Sequence, residues 1–355
     1  MYRFGMLLAA AALCVSAAEW NARAAAGYLD RRQAEWSAWP HAQKPGGPCL
    51  SCHTGLFYLL ARPALRETLG EAASATPESE LLAAVRGRAG AMEAAAAGAV
   101  PGTGAAKGLL ADQLLATQAV LTPLVLAYHD RAAGKLSDEG EEAFRRMWSL
   151  QVHTGPARGA WAWSSFDLDP WEMPESAYFG AALAAVATGA APGGYQDRAE
   201  IRANIAELRQ YLRANLAAQP MHNRLAALWA SGLLRDLLPD SARQETLTAM
   251  WRSQSADGGF SIGALGPWKP REAVPSSPES NGYATALAAF TVRQSGVRPD
   301  DPRLARALAW LRTHQDPDGS WAALSMNKVR ERGSMPAEFM RDAATALAVM
   351  ALTGK

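Results

Sequence analysis

Three observations predict an all-α protein. Alanine is the commonest residue and β-branched residues are scarce, a balance that favours helix over sheet throughout. The chain is 49% apolar, enough to bury a full core, which excludes disorder. A helix–turn–helix unit also recurs in its C-terminal part. At 355 residues the length alone suggests about two domains. A net charge of +1 argues against nucleic acid or an anionic membrane surface as the main partner. Three cysteines are too few for a disulfide scaffold, and twelve tryptophans are many enough to need a structural reason.

The N-terminus reads as a secretory signal over residues 1–18. Arg3 supplies a positive start, Met6 to Val15 a short apolar stretch, and Ser16-Ala17-Ala18 a small-residue cleavage site, with Ala24-Ala25-Ala26 as a later option ending at residue 26. The apolar stretch is shorter than the ~20 residues that span a bilayer, and no later segment is expected to cross a membrane. The expectation is an exported protein of the bacterial periplasm, whose mature chain keeps Cys49 and Cys52 but not Cys14.

Those two cysteines lie in Cys49-Leu50-Ser51-Cys52-His53, the C-x-x-C-H pattern of covalent c-type haem attachment. Two thiols one short turn apart can each bond a vinyl group of one porphyrin, and His53 then reaches the iron from the proximal side. A redox C-x-x-C would want a βαβ context. A zinc site would want further cysteines, and none follows Cys52. The attachment segment, 45–66, passes from a Pro/Gly loop into an apolar helix. One covalent haem c is therefore the expected cofactor.

The recurring unit is a helix ending in Gln, a Gly turn, an aromatic, a polar loop and an alanine-rich helix. Its copies span 148–186, 251–294 and 310–352. They carry Gln151, Gly159 and Trp161; Gln254, Gly258, Gly259 and Phe260; and Gln315, Gly319 and Trp321. Gln is expected to cap the helix end, and the aromatic to fold back over it. The unit resembles the QW repeat of the squalene-hopene and terpenoid cyclase superfamily. That resemblance implies an (α/α)6 toroid, a fold shared with prenyltransferase β-subunits.

Extending the pairs backwards gives Tyr28–Trp39 with Thr54–Leu65, Glu78–Met92 with Leu109–Tyr128, Asp138–Leu150 with Ser176–Val186, Arg198–Leu216 with His222–Leu234, Ala242–Ser253 with Gly282–Gln294, and Arg303–Thr313 with Phe339–Leu352. Six pairs would close one ring, making 27–355 a single domain with the haem on the first inter-helix loop. The loops before the inner helices would then gather at one mouth.

The acid motif of protonation-initiated cyclases, D-x-D-D, is matched only in part by Asp167-Leu168-Asp169-Pro170, and a lone Asp342 sits near the sixth inner helix. No cysteine is present there for a prenyltransferase zinc site. Architecture rather than cyclase chemistry is the expectation. Trp161, Trp163, Asp167, Asp169, Trp171 and Glu172 share one loop and are candidate cavity residues, or alternatively helix wedges and caps. For the distal iron position His222 leads, because the fourth pair lies opposite the first; His153 and Met221 follow. His129 belongs at the other mouth and His314 at the surface. Arg62 and Arg224 are candidate partners for haem propionates.

Three functions compete. The first is a mono-haem cytochrome for electron transfer or redox sensing, with a redox protein or a quinone-like molecule as partner. The second is a haem-dependent oxidoreductase acting on an apolar ligand. The third is a non-catalytic cyclase-like binding module.

Overall fold

The computed structural model of the protein describes residues 20–44, 46–96, 105–274 and 277–354. The signal segment 1–18, with Cys14, lies outside them. The later cleavage option does not: Ala24, Ala25 and Ala26 sit inside the first helix, α1 (Ala22–Ala38). Asn21 caps that helix, its side chain accepting from the Ala24 backbone at 3.0 Å. Cleavage at residue 26 would remove both the cap and the first turn.

The protein is all-α. After α1 come α2 (Gly55–Leu69), α3 (Thr76–Ala96), α4 (Ala105–Asp130), α5 (Asp138–Ser149), α6 (Ala177–Ala190), α7 (Arg202–Asn215), α8 (Met221–Ser231), α9 (Asp240–Trp251), α10 (Gly282–Gln294), α11 (Pro302–Thr313) and α12 (Phe339–Thr353). Each overlaps a helix expected from the sequence, α1 starting six residues earlier than the expected Tyr28. Among the described residues the only strands are β1 (Gln43–Lys44) and β2 (Gly47–Pro48), an antiparallel pair just before the C-x-x-C-H segment.

Odd and even helices differ in burial. α7 buries a single stripe, Ile205, Leu208 and Leu212, as expected of a helix with one face to solvent. α6, α10 and α12 are buried almost all round, with alanine at many contact positions, so their axes can approach closely. α2 packs against α4, α4 against α6, α6 against α8, α8 against α10, α10 against α12, and α12 against α2. The even helices therefore form a closed cycle of neighbours. Leu109–Ala133 is long and apolar enough to cross a membrane by length and composition, contrary to the sequence expectation; 56% of its most apolar window is buried within the protein.

The repeat loops join one pair to the next. Gln151 Nε2 donates to the carbonyls of Gly159 (3.2 Å) and Asn204 (3.1 Å), the latter in the first turn of α7. Gln254 Nε2 does the same to Gly258 and Arg303, both at 2.8 Å. Gln315 Nε2 reaches Gly319 (2.9 Å) and Asn21 (3.1 Å), while the Asn21 backbone N–H donates back to Gln315 Oε1 at 2.6 Å. So each Gln holds its own glycine turn and the start of the next odd helix, rather than capping its own helix. The last of them ties the C-terminal repeat to α1. The aromatics do fold back as expected: Trp161 Nε1 donates to Met147 O at 2.6 Å and Trp321 Nε1 to Leu311 O at 2.8 Å. Much of the tryptophan content thus serves to pin loops onto helices.

Candidate functional site

The C-x-x-C-H segment forms the entry to α2, and its second variable residue shapes it. Ser51 Oγ accepts from the backbone N–H groups of Thr54 (3.1 Å) and Gly55 (2.9 Å), satisfying donors that a helix start leaves free. Three helices hold the carbonyls along the segment. Trp36 of α1 donates to Cys49 O at 3.0 Å, Arg88 of α3 to Pro48 O at 2.5 Å, and Gln118 of α4 to Leu50 O at 2.9 Å. Both cysteines are free thiols, Cys49 half-buried and Cys52 buried. Burial pushes both pKa values up. Cys52 Sγ donates to Glu172 Oε1 at 3.6 Å, and burial also raises the Glu172 pKa.

His53 is buried in an aromatic enclosure. Phe339, the first residue of α12, stacks on its ring with centroids 3.6 Å apart; Trp36 stands edge-on at 5.1 Å and Trp171 is tilted at 6.0 Å. Burial, with the Arg32 charge as a second cause, depresses its pKa to about 3, so the imidazole is neutral.

Which nitrogen carries the proton follows from the groups behind it. The Thr54 hydroxyl donates to Asp342 Oδ2 at 2.8 Å. Having one proton, that hydroxyl can only accept from His53 Nδ1, 2.9 Å away. His53 Nδ1 is therefore the protonated nitrogen. Nε2 keeps its lone pair and meets no hydrogen-bond partner among the described residues.

Asp342 is held as an acceptor on all sides. Arg32 Nε reaches Oδ1 at 2.8 Å, a second Arg32 N–H reaches Oδ2 at 3.1 Å, and the Tyr28 hydroxyl donates to Oδ1 at 2.9 Å. Burial raises the Asp342 pKa, and these donors act against it.

The loops that precede α6, α10 and α12 meet at Asp169. Lys269 N donates to Asp169 Oδ2 at 2.6 Å, and Asn327 brackets the Asp169 backbone, accepting from its N–H at 2.8 Å and donating to its carbonyl at 2.6 Å. The candidate cavity residues separate into two groups. Trp171 and Glu172 lie against His53 and Cys52. Trp161 pins its loop to α5, Trp163 donates to Trp171 O at 2.8 Å, Asp169 is a loop clamp, and Asp167 is exposed beside Arg271 at 3.6 Å. Asp167 and Asp169 are thus structural and surface residues, and not a paired acid.

His222, in the first turn of α8, is fully committed. Its Nδ1 faces Asn223 Oδ1 at 3.0 Å and its Nε2 meets the Tyr283 hydroxyl at 2.8 Å. Asn223 Nδ2 is used on Gln219 Oε1 (2.9 Å), so its oxygen accepts from Nδ1–H and Nε2 must accept from Tyr283. An iron-binding lone pair on His222 would have to displace Tyr283. Met221 is the first residue of α8 and is half-buried. His153 is exposed and paired with Glu207 at 2.8 Å. His129 bonds Leu59 O at 3.0 Å from the far end of α4, and His314 stacks on Trp310. Arg62 is taken by Asp30 (2.9 Å) and Glu71 (2.7 Å), whereas Arg224 donates to the Thr246 hydroxyl at 3.3 Å and makes a long contact to Glu245 at 3.9 Å.

No family model matches the chain, and no curated protein does. Among solved structures, a glycosidase variant in complex with glucose is similar at 12% identity and a TM-score of 0.49, covering 93% of this chain and 97% of that one. A second glycosidase variant is similar at 13% identity, with the same TM-score of 0.49 and the same coverage, 93% and 97%.

Sequence reasoning missed Thr54, Arg32, Tyr28 and Phe339. Their signal was weak but present: Asp342 is the only acid in the α12 sequence, and a lone buried acid demands partners.

The buried imidazole of His222 sets a pH dependence. Burial lowers its pKa from 6.5 to about 4. The folded state then binds fewer protons than the unfolded chain between these values, so stability is intact above pH 6.5 and falls as pH drops towards 4. The loss from this residue is roughly 3 kcal/mol. Denaturant unfolding at a series of pH values should show His222→Gln with a slope shallower by about one proton in this window; identical slopes would refute the assignment.

Proposed function

We propose that the chain is an exported mono-haem c-type cytochrome on a terpenoid-cyclase-like (α/α)6 toroid, acting in electron transfer or redox sensing. The observation that carries this reading is the state of His53 within the C-x-x-C-H segment: Nδ1 is engaged by the Thr54 hydroxyl and Nε2 is left with a free lone pair. A metal-binding histidine needs this arrangement, one ring nitrogen tethered and the other available. The donor set fits the group: Cys49 and Cys52 would bond it covalently, and His53 would be the proximal iron ligand. When bound, haem supplies one-electron chemistry at iron. The protein's own part is to hold the imidazole in one tautomer among Phe339, Trp36 and Trp171, which exclude water from it. The toroid reading is supported by the closed cycle of even helices and by the Gln315–Asn21 join.

Protein matured with c-type haem machinery should give a c-type pyridine haemochrome spectrum and retain one haem after denaturation. Cys49→Ala/Cys52→Ala should retain none. Equal spectra from the two proteins would overturn the proposal. The commitment of His222 to Tyr283 favours a second reading, a haem-dependent oxidoreductase in which His222 would not be an iron ligand. Binding of cyanide or imidazole to the ferric protein supports it; an unresponsive low-spin spectrum counts against it.

A further inference from the structure

We infer that Asp342 is a positioning residue for His53, acting through Thr54 to fix the imidazole tautomer and to raise its donor strength towards iron; the inference rests on the function proposed above. The path is continuous, with His53 Nδ1–H donating to Thr54 Oγ1 at 2.9 Å and the Thr54 hydroxyl donating to Asp342 Oδ2 at 2.8 Å. The ring cannot easily turn out of this bond, because Phe339 covers one face and Trp36 abuts it edge-on.

A hydroxyl placed between an imidazole and a carboxylate passes on part of the carboxylate's pull. Donating to an anion makes the oxygen a better acceptor, so Nδ1–H is drawn out and Nε2 becomes more basic. As a haem ligand, a more basic His53 nitrogen would favour the ferric state and lower the reduction potential. Arg32 and Tyr28, which bind the same carboxylate, moderate the effect rather than abolish it, since Oδ2 still accepts from Thr54. The partners lie at the entry to α2 and in α12, helices from opposite ends of the chain. The tuning therefore depends on the closed packing of α12 against α2.

Two readouts test this on the full-length chain. In protein made without haem attachment and labelled with 15N-histidine, the His53 resonances should report Nδ1 protonated in wild type and in Thr54→Ser. Thr54→Val should move the proton to Nε2. In matured protein, the midpoint potential of Thr54→Val should rise by about a tenfold change in the one-electron equilibrium, about 59 mV. Thr54→Ser should restore it. Thr54→Ala serves in place of Thr54→Val should that variant not fold, with the same expected shifts. Haem bound at wild-type stoichiometry, with tautomer and potential both unmoved by the loss of the hydroxyl, overturns this inference alone. Wild-type protein that acquires no covalent haem overturns the proposed function, and this inference with it.

Discussion

Gly319→Ala should be among the most destabilising single-methyl additions in the protein, lowering stability by more than about 3 kcal/mol or preventing folding. Gly319 has φ +93°, a region costly for a side chain, and a Cβ there would fall inside contact distance of the Ala24 backbone carbonyl. Neither atom can yield cheaply, because both are main chain. The collision also lies where Gln315 binds Gly319 O and Asn21 O, so the last repeat would separate from α1. Gly296→Ala is the control. It has the same φ of +93° but nothing within 4 Å of the added carbon, so only backbone strain remains, about 1–2 kcal/mol. Denaturant unfolding of both variants measures the difference. Equal losses would mean that the packing of the C-terminal repeat on α1 contributes little to the fold.

The places of the twelve helices among the described residues were legible because each carries a local signal: an apolar period, an alanine-rich run, or a cap such as Asn281 or Asp301. The repeat loops were legible because Gln, Gly and an aromatic recur in fixed order. What each Gln does was not, since its second partner lies in the next pair, 53 residues on for Gln151 and 294 residues away for Gln315. The C-x-x-C-H pattern could be read from five consecutive residues. The group behind it could not, because Thr54 and Asp342 are separated by 288 positions and meet only when α12 packs on α2. His222 illustrates the converse. Its place at the start of α8 could be read from the helix pairs, whereas its commitment to Tyr283 depends on hydroxyl and amide directions that no spacing encodes.

Asp342→Ala should cost about 3–5 kcal/mol, because it removes one partner of a buried ion pair and leaves the other in place. The Arg32 side chain is 7% exposed and that of Asp342 1%, so the abandoned guanidinium could not be rehydrated without opening the contact between α1 and α12. Tyr28 would lose its acceptor as well. Glu35 remains beside Arg32 but is itself 45% exposed, and a solvent-screened partner compensates little. Replacing both charges by apolar groups should behave differently: Arg32→Leu/Asp342→Leu leaves no stranded charge and should recover a large part of the loss. A double-mutant cycle read by denaturant unfolding at neutral pH decides the point. The expected coupling exceeds 1 kcal/mol, at the upper end of what exposed pairs show. If Asp342→Ala proved nearly neutral, Arg32 would have to be solvated in the native protein, and the enclosure around His53 would be open to water. The same result would undercut the tautomer argument, since a water reaching Thr54 could take the hydroxyl proton that Asp342 otherwise claims. Stability at this pair and the proton position on His53 are thus two readings of one buried carboxylate.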